Sequence, residues 1–199
     1  MARPRAEDYN DKREAILDRT AELFAERGYD RTSMAEIARV CGTSKALLYH
    51  YYESKEQLLF DVIHNHINAL CEACRAADDL ALPPERRLRV LVGALLDAYR
   101  DADAEHKVQL NDLALLPAAK QEQIRALERQ LVALFASVIG AINPRLFDCQ
   151  GRLLKPVTMS LFGMLNWHYM WFRPGGPLTR EDYAEVATRI IVSGAREVA

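Results

Sequence analysis

The chain has 199 residues, half of them apolar, with 26 Lys/Arg against 28 Asp/Glu and a formal charge of −2. That is material for one medium domain or for a small head on a larger body, and it excludes a strongly basic domain as the source of nucleic-acid binding. Residues 1–55 hold ten Lys/Arg and ten Asp/Glu, so any DNA-facing surface must be a local patch with the acids turned away.

Ile16, Leu17, Thr20, Ala21 and Phe24 repeat at helical spacing, with Gly28 as the stop. Ser33-x-x-Glu36 is a capping box that opens a second, brief helix ending near Val40. Cys41-Gly42-Thr43 forms a turn, and a third short helix runs from Ser44 to about Tyr51. Ser54-x-x-Gln57 opens a long helix with Leu58, Leu59, Val62, Ile63, His66, Ile67, Leu70 and Cys74 on one face. Pro83-Pro84 ends its tail and suits the first turn of the next helix, whose apolar face is Leu88, Leu91, Leu95 and Tyr99. A polar stretch at 101–107 separates this from a helix around Val108–Leu115. Pro117 starts a long amphipathic helix with Ile124, Leu127, Leu131, Leu134, Val138 and Ile142 inward. A loop through Asn143-Pro144 and Gly151 leads to a helix over 155–173. Pro174-Gly175-Gly176-Pro177 is a hard break, and Thr179-x-x-Asp182 caps a last helix with Tyr183, Val186, Ile190 and Ile191 inward. No strand pattern or repeat occurs. The expected fold is all-α with about nine helices.

Several features bound the function. Residues 156–172 carry no formal charge, yet the run is short for a span of about 20 residues and contains Thr158, Ser160, Asn166 and His168, so a buried helix is expected and no membrane partner. MARPRAEDYN has no apolar stretch of the kind a signal peptide needs. Cys41, Cys71, Cys74 and Cys149 show no disulfide framework, which suits reduced thiols in a cytoplasmic protein. Cys71-x-x-Cys74 with His64 on the same face imitates half a zinc site, but both cysteines continue an apolar helical stripe, so packing is expected and no metal. Nucleophile-elbow, metalloprotease and phosphate-loop signatures are absent; neither an enzyme nor a cofactor is expected. The basic run Glu85-Arg86-Arg87-Leu88-Arg89 reads as a solvated face or as an anchor for an anionic ligand. The aromatic stripe Trp167, His168, Tyr169, Trp171, Phe172 asks for cover on all sides, from the protein's own body and from something outside it.

Two short helices joined by a Gly-containing turn suit a DNA-reading helix-turn-helix. Ala38 is small where the helices cross, Gly42 stands where φ > 0 is convenient, and Ile37 and Leu48 are apolar where inner faces must meet. With Leu48 inward, Ser44, Lys45, Ala46, Tyr49 and His50 face outward, a row of small or hydrogen-bonding residues suited to a major groove about 12 Å wide. Lys55, a cation in the first turn of a helix, opposes the dipole, and an external phosphate would give it a reason. An ordinary helical hairpin with solvated polar residues fits the same spacing.

The stretch from Arg13 to Ile63 resembles the TetR-family DNA-binding domain: Ala21-x-Leu23-Phe24, Gly28-Tyr29, Ile37-Ala38, then Leu48-Tyr49-x-x-Tyr52 and Ser54-Lys55-Glu56. Tyr51 stands where His is frequent, and Leu47 is bulkier than the polar residue often found there. The resemblance implies that Thr43, Ser44, Lys45, Tyr49, His50 and Lys55 touch DNA, mostly phosphates, with Ala46 in the same row. It implies a head at 8–54 continuing into a linking helix to about 70, a ligand-binding and dimerisation domain over 55–199, and a homodimer formed through the last two helices on an inverted-repeat operator. The stretch 166–186 resembles the subset that senses acyl-CoA thioesters in aromatic-acid, steroid or fatty-acid breakdown. That implies a repressor released by a thioester such as phenylacetyl-CoA, with Asn111, Trp167, Trp171, Phe172 and Arg173 as candidate ligand contacts. A multidrug-type repressor with a broad apolar pocket, or a helical interaction module without DNA binding, are the alternatives.

Overall fold

The computed structural model describes residues 3–148 and 152–198, and side chains apart from those of 3–8 and 147–148; Cys149 and Gly151 lie outside the described residues. Within these, the fold is all-α. The elements are α1 (Arg3–Arg27), α2 (Met34–Val40), α3 (Lys45–Tyr51), α4 (Lys55–Ala77), α5 (Pro84–Ala98), α6 (Asp103–Asp112) with a 3-10 turn (Leu113–Leu115), α7 (Ala118–Ile142), α8 (Arg145–Asp148), α9 (Leu154–Asn166), α10 (His168–Trp171) and α11 (Arg180–Glu197). Nine helices of seven residues or more, with two four-residue turns of helix, match the expected number among the described residues.

The chain packs as two compact units, one formed by residues up to Asn68 with Asp101–Arg125, the other by Ala69–Arg100 with the chain from Ala126 onward. In the first unit, α1 buries Ile16, Leu17, Ala21, Leu23 and Phe24. It stops at Gly28, whose φ of +86° lets its N–H reach back to the Phe24 carbonyl, a left-handed cap that glycine adopts at least cost. The Ser33 box is formed in full: Ser33 Oγ accepts from the Glu36 N–H, and the Glu36 carboxylate accepts from the Ser33 N–H. The stop of α2 is equally specific. Thr43 N–H bonds the Ala38 carbonyl and Gly42 N–H the Arg39 carbonyl, with Gly42 at φ +63°, the paired bonds of a Schellman motif. Ile37, Ala38 and Leu48 are buried between α2 and α3 as the helix-turn-helix spacing requires.

In the same unit, His66 on α4 and His106 on α6 are buried and face each other at 3.4 Å, Nε2 to Nδ1. Burial, and then the neighbouring ring, press the His66 pKa down to about 3. A histidine depressed in the folded state binds its proton only on unfolding. Its contribution to stability is therefore complete above the unfolded value near 6.5 and falls away as pH drops toward 3. The expected slope from this one group reaches about 1.4 kcal/mol per pH unit in that window. Urea titrations at pH 7, 6 and 5 check it; the His66→Gln variant should show a shallower loss, and an identical pH profile would remove His66 as the cause.

In the second unit, α11 packs on α5 and α9. Its Thr179 box is complete with Asp182, and Asn143 Nδ2 donates to the Ala195 carbonyl near its end. Cys71 and Cys74 are buried free thiols; Cys71 Sγ lies 3.6 Å from the Leu127 carbonyl, and burial pushes the Cys74 thiol up to about 12.

Four expectations need correction. The polar stretch 101–107 is not a spacer: α6 begins at Asp103, with Ala102 at its cap position and no side-chain cap bond. On α7 the buried stripe is Ile124, Leu131, Phe135, Val138 and Ile139, while Leu127, Leu134 and Ile142 are only half-buried. The helix expected over 155–173 is interrupted at Trp167, where His168 turns inward to stack on Phe172 (4.3 Å) and Tyr183 (5.1 Å). Finally, α11 buries Ala184, Ala187, Thr188, Ile191 and Ala195. These small side chains allow close approach to its neighbours, and Val186 (46% exposed) and Ile190 (54%) point outward.

Candidate functional site

The first candidate surface is α3. Ser44 caps it, its Oγ accepting from the Leu47 N–H, so the start of the helix is held by the residue that also begins the outward row. Lys45, Ala46, Leu47, Tyr49 and His50 are exposed, Thr43 is half-buried, and Leu48 is fully buried. Between Glu36 and Glu53 there is no carboxylate, whereas Arg39 and Lys45 are present, so this stretch carries a local excess of positive charge. The Lys45 ammonium sits 5.8 Å from the centre of the Tyr49 ring, which pre-orients a cation and a phenol on one side of the helix. Tyr9 of α1 packs on Tyr51 at 4.8 Å and edge-on to His50 at 6.3 Å.

Lys55 is placed differently from the free cation expected of it. Its ammonium donates to the carbonyls of Tyr29 and Thr32, both at 2.9 Å, and lies 4.0 Å above the Tyr29 ring. Two of its three N–H donors thus hold the loop between α1 and α2, which accounts for a cation at that helix start without an external anion.

A polar network that sequence reasoning missed fixes α3 from behind. Tyr52, 1% exposed, receives the Arg13 Nε–H at 3.2 Å and donates its hydroxyl to the Arg13 carbonyl. Arg13 also reaches Asp61 Oδ2 at 2.6 Å, and Gln57 Nε2 donates to Asp61 Oδ1 at 2.7 Å. Burial pushes the Tyr52 phenol up to about 12 against the pull of Arg13, so it stays a neutral donor. Lys120 extends the set through Gln57 Oε1 and Glu56. The signal available in the sequence was the i, i+4 pair Gln57/Asp61; the partner Arg13 lies 48 positions earlier than Asp61 and no local pattern links them.

The candidate effector residues are spread over both units. Asn111 is exposed on α6 in the first. In the second, Trp171 and Phe172 join His168 and Tyr183 in an aromatic nest, Trp171 meeting Tyr183 edge-on at 4.9 Å, and Tyr183 donates its hydroxyl to the Met164 carbonyl. Burial, and then the Arg180 charge, lower the His168 pKa to about 4, so it is neutral in this nest near pH 7. Trp167 (58% exposed), Met170 (56%) and Arg173 are open at the surface. Among the described residues no group of three or more His, Cys, Asp or Glu could hold a metal ion, and no helix is long and apolar enough to cross a membrane.

Comparison with known proteins agrees with this layout. Residues 16–62 match the family described as bacterial regulatory proteins, tetR family, and residues 81–195 match the tetracyclin repressor-like C-terminal domain. The chain belongs to the TetR family. Like other members, this TetR-family regulator carries its DNA-binding helix-turn-helix at the N-terminal side and a helical C-terminal domain. The HTH-type transcriptional repressor KstR2 of Mycobacterium tuberculosis is 26% identical over 195 residues, covering 93% of each chain. A TetR-family regulator from Bordetella parapertussis superposes with a TM-score of 0.85 at 32% identity, over 94% of this chain and 97% of that one. AibR, in complex with isovaleryl coenzyme A and operator DNA, gives 0.76 at 30% identity, over 90% and 97%.

Proposed function

We propose that this TetR-family regulator is a dimeric repressor that binds an inverted-repeat operator and is released by an acyl-CoA thioester. The observation that carries this reading is the similarity to AibR, whose structure holds both an acyl-CoA and operator DNA and which aligns over nearly its whole length. Residues 8–54 would read the operator in the cytoplasm, with Thr43, Ser44, Lys45, Ala46, Tyr49 and His50 as the contact row and Lys55 contributing its remaining donor. Residues 55–199 would hold effector and dimer. An apolar acyl group suits the aromatic faces of Trp171 and Phe172, with Arg173 beside them in the chain as a candidate polar contact. Phenylacetyl-CoA, isovaleryl-CoA and a long-chain acyl-CoA share the chemistry of a phosphorylated carrier with an apolar end.

Release demands more than binding. An effector moves the equilibrium only to the extent that it prefers the DNA-incompetent state. Operator complexes are therefore titrated with free CoA, phenylacetate and the three thioesters. At least one thioester should release DNA at a concentration where the free acid does not. Release by the free acid and by none of the thioesters would overturn the thioester reading in favour of a broad apolar pocket.

A further inference from the structure

The basic run at the start of α5 and the aromatic run after α9 are separate features of the sequence, and the fold of the second unit draws them together. A cleft of about 630 Å³ opens between α5, the Pro174–Pro177 connection and the first turn of α11. We propose that this cleft is an anion subsite for a phosphate or pyrophosphate group and, resting on the thioester reading above, that the phosphorylated end of the CoA effector docks there.

Three guanidinium groups line it, from Arg89, Arg100 and Arg180, against two carboxylates, Asp97 and Glu181. Asp97 is bound by Arg100 at 2.7 Å, but both side chains are more than half exposed, and such a surface pair is worth little; a phosphate dianion competes well for the same fork. Arg89 is held more firmly. Its Nε donates to Glu185 and one terminal nitrogen to the Glu181 carbonyl, which fixes the plane of the fork. Its other terminal nitrogen lies along Gly93, where an added Cβ would come within 3.1 Å of it. A glycine inside a helix costs about 1 kcal/mol relative to alanine, and here its bare backbone leaves the guanidinium its place at the cleft wall.

Arg180 completes the set. Its guanidinium lies 4.8 Å from the centre of the Phe172 ring, and its Nε is buried without a hydrogen-bond partner. Buried donors of this kind are rarely left unmatched. The first turn of the 18-residue α11 adds the positive end of its dipole to the same opening. Several cationic forks converging from different elements suit a group with many charged oxygens, because arginine pairs with phosphate through directed, forked hydrogen bonds.

Calorimetric titration of the full chain with adenosine 3′,5′-bisphosphate, which has phosphates and no acyl or thiol group, tests the cleft directly. Binding is expected, together with displacement by a thioester. The variants Arg100→Glu and Arg180→Gln should each weaken it about tenfold or more. Arg100 is exposed, so its charge reversal should leave the helical signal intact. No binding, or wild-type affinity in both variants, overturns the subsite. If no thioester releases the operator, the effector reading fails and the bisphosphate still decides the cleft. If thioesters release wild type and both variants at the same concentrations, the cleft proposal alone falls.

Discussion

The Lys45→Ala and Tyr49→Ala variants are each expected to lose operator binding, by a factor of about thirty or more, with an unchanged far-UV helical signal. Both side chains are exposed on α3, where the interaction within the protomer that either substitution removes is their mutual cation–π contact. Each contact of this type contributes on the order of 1–3 kcal/mol to discrimination or anchoring. A dimer makes every contact twice, so one substitution removes about 2–6 kcal/mol from the complex on that per-contact figure. Mobility shifts on the chain's upstream region, read beside circular dichroism, check the result. Normal operator affinity in both variants would sink the assignment of α3 as the reading helix. Lys55→Ala should behave otherwise: weaker DNA binding and a lower melting temperature together, because its ammonium ties the Tyr29 and Thr32 carbonyls.

The second large effect is expected at Ile190. The sequence pattern places it inward, but it is 54% exposed, with Val186 beside it on α11 and Met159, Trp167 and Met170 on or just after α9 equally open. An apolar face of that kind on two neighbouring helices is what a partner covers, and the family resemblance points to a second copy of this chain. The Ile190→Arg variant should therefore fold as a protomer yet run as a monomer in light scattering at micromolar concentration. In a two-fold interface the substitution occurs twice, and each buried arginine left without a partner costs several kcal/mol. A monomeric wild type would remove the interface altogether, and an Ile190→Arg variant that remains a dimer would move it elsewhere.

Where local chemistry marks an element, the sequence was legible. Ser33 with Glu36, Gly42 and Thr179 with Asp182 placed three helix boundaries, because a cap is a short-range bond between residues close in the chain. Ser54 with Gln57 was half right: the Gln57 N–H bonds Ser54 Oγ, but its side chain goes to Asp61 and Lys120 instead of back to the cap. The start of α6 was hidden since Ala102 offers no capping side chain. The faces of α7 and α11 were misjudged for another reason. Apolar spacing says which residues share a stripe, and it does not say which of two apolar stripes faces the protomer's own core. The outward row of α3 was readable from Leu48 alone, whereas the Arg13–Tyr52–Asp61 network behind it joins positions far apart in the chain. The cleft with Arg89, Arg100 and Arg180 is likewise a product of tertiary packing.

The division of labour within the head bears on how such a regulator can change its target. Lys45, Ala46, Leu47, Tyr49 and His50 project from a helix whose cap, inner leucine and rear tyrosine network are supplied by other residues. Exchanges at those five surface positions, glycine and proline apart, usually alter stability by only about half a kcal/mol. On the operator-reading role proposed for α3, preference can therefore drift through this row while the scaffold stays put. At Ser44, Tyr52 and Lys55 the same mutational step would undermine the platform before any new operator could be tried.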